Sequence, residues 1–70
     1  MDKNKLDGRR RNNIHVGQLV EIVQKQDQRT GNLTEGVVSR ILTKSHNHPH
    51  GIKVQLESRE VGRVKNILVE

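Results

Sequence analysis

The chain predicts an all-β domain, a small five-stranded barrel that follows a flexible basic N-terminal arm. Three observations lead there. Apart from Met1 its hydrophobic residues are all Val, Ile or Leu, and β-branched Val and Ile outnumber Leu, which suits half-buried strands better than helices. Short runs of alternating apolar and polar residues recur between turn-forming clusters, and helical periodicity is almost absent. The 70 residues contain no cysteine, so one small domain has to hold together through its aliphatic residues, without a disulfide or a thiolate metal cluster.

Residues 1–13 are polar and charged around an isolated Leu6 and Gly8, and read as an arm that is disordered or loosely laid on the domain. The globular part, residues 14–70, begins near Ile14. In "GQLVEIVQK" Val20 and Ile22 alternate with Glu21 and Val23, a first strand opened by Gly17. "QDQRTGNLTEG" follows as a broad exposed hairpin loop, with Gly31 supplying a positive φ. "LTEGVVSRILT" is a second strand with Val37, Ser39 and Ile41 on one face and Val38, Arg40 and Leu42 on the other. Gly36 inside it suggests a bulge or bend.

After the loop "SHNHPHG", the run "GIKVQLE" alternates cleanly, with Ile52, Val54 and Leu56 inward. A tight turn at Ser58–Arg59 leads into "EVGRV", and "KNILVE" offers a last short strand after a single 3₁₀ turn. The expected core is Val20, Ile22, Val37, Ile41, Ile52, Val54, Leu56 and Val64. Five short strands of this kind fit an SH3-like barrel.

Asn13 to Ile67 resembles the YwbE-like family of small, largely uncharacterised bacterial and archaeal proteins. The linked runs "DQRTG", "LTEGVV", "ILT", "HPHGIKV" and "VGRV" carry the resemblance, which covers nearly the whole chain. It implies a compact barrel akin to the KOW and SH3-like modules of ribosomal proteins and transcription factors, which commonly bind RNA or protein. Family members usually have a glycine in the turn that here reads "ESRE", Glu57 to Glu60, so Ser58 and Arg59 must turn without it.

The formal net charge is +5, an argument for an anionic partner. Residues 1–13 hold a net +3 and residues 14–70 a net +2. Arg9, Arg10 and Arg11 form the sharpest run, with planar donors suited to phosphate oxygens or simply a solvated tail. Lys25 and Arg29 flank the first loop, Lys44 and Lys53 flank the histidine loop, and Arg63 and Lys65 lie near the last hairpin. If these loops gather at one rim, they line a positive groove. No Phe, Tyr or Trp is present, so bases cannot stack on aromatic side chains as they do on many single-strand binders.

His46, His48 and His50 surround Pro49, the only proline. A metal site is one reading, since alternate residues of an extended segment face the same way, but Pro49 breaks the alternation and three imidazoles leave the set incomplete. Catalysis lacks a nucleophile elbow, a carboxylate pair or a phosphate loop nearby. A turn shaped by Pro49 and Gly51 explains the loop but not its histidines. A contact surface made by the three histidines with Lys44 and Lys53 explains both.

The expectation is therefore a non-enzymatic, cytoplasmic, monomeric module without cofactor or metal. It binds nucleic acid, RNA or a ribonucleoprotein before DNA, through the arm, the loop cations and the histidines. A protein-interaction module of SH3-like type is the alternative, and metal binding through the histidine loop a third. The segment "MDKNKLDGRRR" lacks a signal peptide's apolar core, and no stretch approaches the roughly 18 apolar residues of a membrane span.

Overall fold

A computed structural model describes residues 5–68. Residues 1–4 of the expected arm, and Val69 and Glu70 of the expected last strand, lie outside them. Five strands form one antiparallel sheet: β1 (Lys5–Asp7), β2 (Leu19–Gln24), β3 (Thr34–Ile41), β4 (Lys53–Leu56) and β5 (Val61–Leu68). Among the described residues the regular non-strand structure is confined to two 3₁₀ turns, Arg11–Asn13 and Lys25–Asp27. Among the described residues no helix is long and apolar enough to cross a membrane.

The sheet closes on itself. β2 pairs with β3, β3 with β4, β4 with β5 and β5 again with β2, a four-stranded antiparallel barrel. β5 is long enough to divide one edge between two neighbours. Val61–Arg63 pair with β4, and Asn66–Leu68 pair with β1.

Two irregularities curve the sheet. The β3–β4 register shifts between Val38 and Arg40, and the β2–β5 register shifts between Glu21 and Ile22, opposite Lys65. Each shift reverses the alternation on the bulged strand, because one extra residue moves the following side chains to the other face. Val38 and Ile41 therefore both serve the core, as do Val64 and Ile67, although each pair is three residues apart. The interior holds Ile14, Val20, Ile22, Val38, Ile52, Val54, Leu56, Val64 and Ile67, with Ile41 packed against it. Each such aliphatic side chain contributes about 1.5–3 kcal/mol when fully buried.

Several expectations change accordingly. Val38, not Val37, is the buried residue of β3, and the bulge lies at Ser39 instead of Gly36. Gly36 faces Leu56, whose Cδ1 would lie 2.6 Å from an added Cβ, so the small residue makes room for the core. "VGRVKNIL" is one continuous strand without a 3₁₀ turn, because the bulge at Lys65 mimics a break in the pattern. The fifth strand comes instead from Lys5–Asp7, inside the expected arm. Beyond it the same stretch stays on the domain: Arg10 and Asn47 form an isolated bridge, Arg11 N–H donates to the His46 carbonyl at 2.8 Å, and His48 N–H donates to that of Arg9 at 2.9 Å.

The turns follow their residues. Gly31 and Gly51 take φ of +78° and +101°. Gly51 also packs so closely that an added Cβ would lie 2.3 Å from the Val64 carbonyl oxygen. In the β4–β5 turn the positive φ falls on Arg59, at +83°, closed by the Arg59 N–H on the Leu56 carbonyl at 2.8 Å. Arg59 thus adopts the conformation that favours glycine.

Two outcomes are expected in urea denaturation followed by far-ultraviolet circular dichroism. Gly51→Ala should destabilise by about 3 kcal/mol or more, since left-handed strain and backbone overlap add. Arg59→Gly should stabilise by roughly 0.5–1 kcal/mol, the relieved strain exceeding the added unfolded-state entropy.

Candidate functional site

The pairing of β4 with β5 places Lys53 directly opposite Arg63. Both point away from the interior, since their neighbours Val54 and Gly62 are buried. Directly opposed like charges are unfavourable in a sheet. Among the described residues neither these two nor Lys65 has an ion-pair partner. Their hydrogen bonds go to carbonyl oxygens: Arg63 Nη1 donates to Gly51 at 3.3 Å and Lys65 Nζ to His50 at 3.5 Å. Two carboxylates of β2 and the β4–β5 turn are engaged elsewhere, Glu21 by Asn66 at 2.7 Å and Glu60 by Ser58.

Beside this pair an open cleft of about 500 Å³ is lined by Val23, Gln28, Gly31, His50, Arg63 and Lys65. Val23 pairs with Arg63 on the outer face and is only 5% exposed, yet it stands apart from the core cluster. It gives the cleft an apolar element. The first loop supplies Gln28 and Gly31, the histidine loop His50, and β5 the two cations, so three segments far apart in sequence meet here.

The expected site residues distribute unevenly. His50, Arg63 and Lys65 line the cleft and Lys53 adjoins it. Arg11 is linked to Lys53 through Thr43: its Nε donates to the Thr43 carbonyl at 3.0 Å, and the Thr43 hydroxyl accepts from Lys53 N–H at 2.7 Å. Arg9 and Arg10 run beside His46–His48 through backbone bonds. Lys25, Arg29 and Lys44 are exposed, outside the cleft lining. Sequence reading missed Val23, Gln28 and Gly31 as lining residues. A buried valine on the polar phase of a strand is visible as "IV" in "VEIVQ", and Gln28 and Gly31 of the first loop line the cleft with it.

The histidines differ in their surroundings. His48 Nδ1 accepts from His50 N–H at 3.2 Å, which fixes the acceptor nitrogen, and the two rings stand 5.8 Å apart at 47°. Desolvation lowers the His48 pKa, and the charges of Arg63 and His50 lower it further. Among the described residues no three histidine or carboxylate side chains come together as a metal site.

The chain was compared with known proteins. The model of one family, described as an uncharacterized conserved protein (DUF2196), matches residues 7–67. The uncharacterized protein YwbE of Bacillus subtilis (strain 168) is 54% identical over 63 residues, covering 90% of this chain and 97% of the relative. No solved structure matches. With the family match running over residues 7–67 and the relative covering 90% of the chain, the chain belongs to this YwbE-like family.

Proposed function

We propose that the protein is a non-enzymatic module that binds nucleic acid, RNA or a ribonucleoprotein, through phosphate contacts from Arg11, Lys53, Arg63, Lys65 and the neighbouring loops. The observation that carries this reading is the Lys53–Arg63 pair with Lys65 beside it. Cations set against each other without carboxylates oppose folding slightly, and a bound polyanion reverses that cost. The barrel is read as SH3-like and KOW-like, with β1 continuing the wall along β5, and as a cytoplasmic monomer.

The chemistry favours RNA over a DNA sequence. Base readout in the DNA major groove is commonly made by a helix, and the described residues contain no α-helix. Shape and phosphate recognition of A-form RNA needs none. Without aromatic side chains, bases meet only guanidinium or imidazole planes, so sequence preference is weak.

An amide-shift titration with a short RNA hairpin and its DNA counterpart, at near-physiological salt, tests the reading. Saturable shifts at Lys53, Arg63 and Lys65, larger for RNA, are expected. The Lys53→Gln/Lys65→Gln double variant should flatten the plot of log K against log salt by about 1.4–1.8, roughly 0.7–0.9 per lost contact. Absence of shifts on β4 and β5 overturns it and favours a protein-interaction module.

In this reading His48 is neutral at pH 7 and positions the loop, while Lys and Arg carry the charge. Its folded pKa lies below the unfolded value, so the unfolded chain takes up a proton first as pH falls. The His48 contribution to stability is therefore present above the ordinary histidine range, near 6.5, and is lost as pH drops from there through the lowered folded value. Replacing His48 with Asn should flatten that part of the stability profile, measured by denaturation at stepped pH.

A further inference from the structure

We infer that the cleft is a binding pocket for a single nucleotide, taking its phosphate on Arg63 and Lys65 and its base over Val23 beside Gln28. The inference rests on the nucleic-acid reading above and assigns it a ligand unit: one unpaired nucleotide, from a strand or free. Three features support it.

The size is suitable. At about 500 Å³ the cleft lies within the ~300–1,000 Å³ range of small-molecule sites. Its donors also remain available. Arg63 Nη1 lies 3.3 Å from the Gly51 carbonyl oxygen and Lys65 Nζ 3.5 Å from that of His50, long contacts that leave most N–H groups of each side chain to a phosphate.

The third feature is the division of the lining into unlike parts. Arg63, Lys65 and His50 supply positive charge or N–H donors, whereas Val23, only 5% exposed, adds a small apolar patch and Gln28 an amide able both to donate and to accept. A bare anion uses only the first group. A nucleotide uses both, with the amide in reach of a base edge and the guanidinium or imidazole plane offering the stacking surface that aromatic residues would otherwise provide. Gly31 keeps the loop side of the opening free of a side chain.

The test is a titration of the isotope-labelled full chain with AMP, UMP, inorganic phosphate and ribose 5-phosphate, followed by amide shifts. Both nucleotides should produce saturable shifts at Val23, Gln28, Gly31, His50 and Lys65, with a dissociation constant on the order of 1 mM. Inorganic phosphate and ribose 5-phosphate should bind more weakly. Lys65→Gln should weaken nucleotide binding about three- to tenfold, as expected for losing one solvent-exposed hydrogen bond, and Gln28→Ala should reduce the advantage of nucleotide over ribose 5-phosphate. Both residues are exposed, so the unchanged amide spectrum of each variant serves as the folding control.

Equal shifts from inorganic phosphate and nucleotides overturn the pocket and leave an anion patch. Silence of the cleft amides toward every probe also overturns it. If the cleft stays silent while an RNA hairpin still shifts Lys53, Arg63 and Lys65, the pocket fails and the nucleic-acid reading stands. If nucleotides bind and no hairpin does, the pocket stands and that reading fails.

Discussion

Closing a sheet of only four strands demands sharp curvature, and two bulges supply it, at Ser39 on β3 and at Lys65 on β5. Each extra residue bends its strand and increases the local twist. The bulges also decide which side chains fill the interior, because they bring Val38 with Ile41 and Val64 with Ile67 to the same side. The outward surface is set by the same event. With Val64 and Ile67 committed to the core, Arg63 and Lys65 face solvent on the strand that β4 and the first loop flank.

The core itself is aliphatic throughout, and its small volume leaves no room for misplaced groups. Gly51 and Gly62 mark the tightest approaches, each against a carbonyl oxygen, and Gly36 lies against a leucine side chain. Val23 is the exception to a single core. It is buried apart from the core cluster, so the barrel wall there has apolar residues on both faces, Ile22 within and Val23 without.

Clean alternation made β4 fully legible, with Ile52, Val54 and Leu56 inward. Val20 and Ile22 were legible for the same reason. Where a bulge intervened, period-two reasoning failed: it selected Val37 over Val38 and broke β5 into two pieces. The expected five-stranded barrel closes with four strands, since two expected pieces fused into β5, and β1, which only extends the sheet along β5, emerged from a stretch with too few apolar residues to announce itself. For the site, composition and the positions of Arg63, Lys65 and His50 were readable, but their meeting with the first loop depends on pairings distant in sequence. Lys25, Arg29 and Lys44 show the limit: being near a loop end in sequence does not put a side chain in the cleft.

The central position of β5 has a consequence for the order of events during synthesis. This strand touches β1, β2 and β4, and its last residues pair with the first described ones, Lys5 opposite Leu68. Until β5 has emerged, β1, β2 and β4 lack the strand that joins them. The barrel cannot close before then, so the cationic strand completes the fold last, and any helper that shields the open sheet must act before β5 pairs.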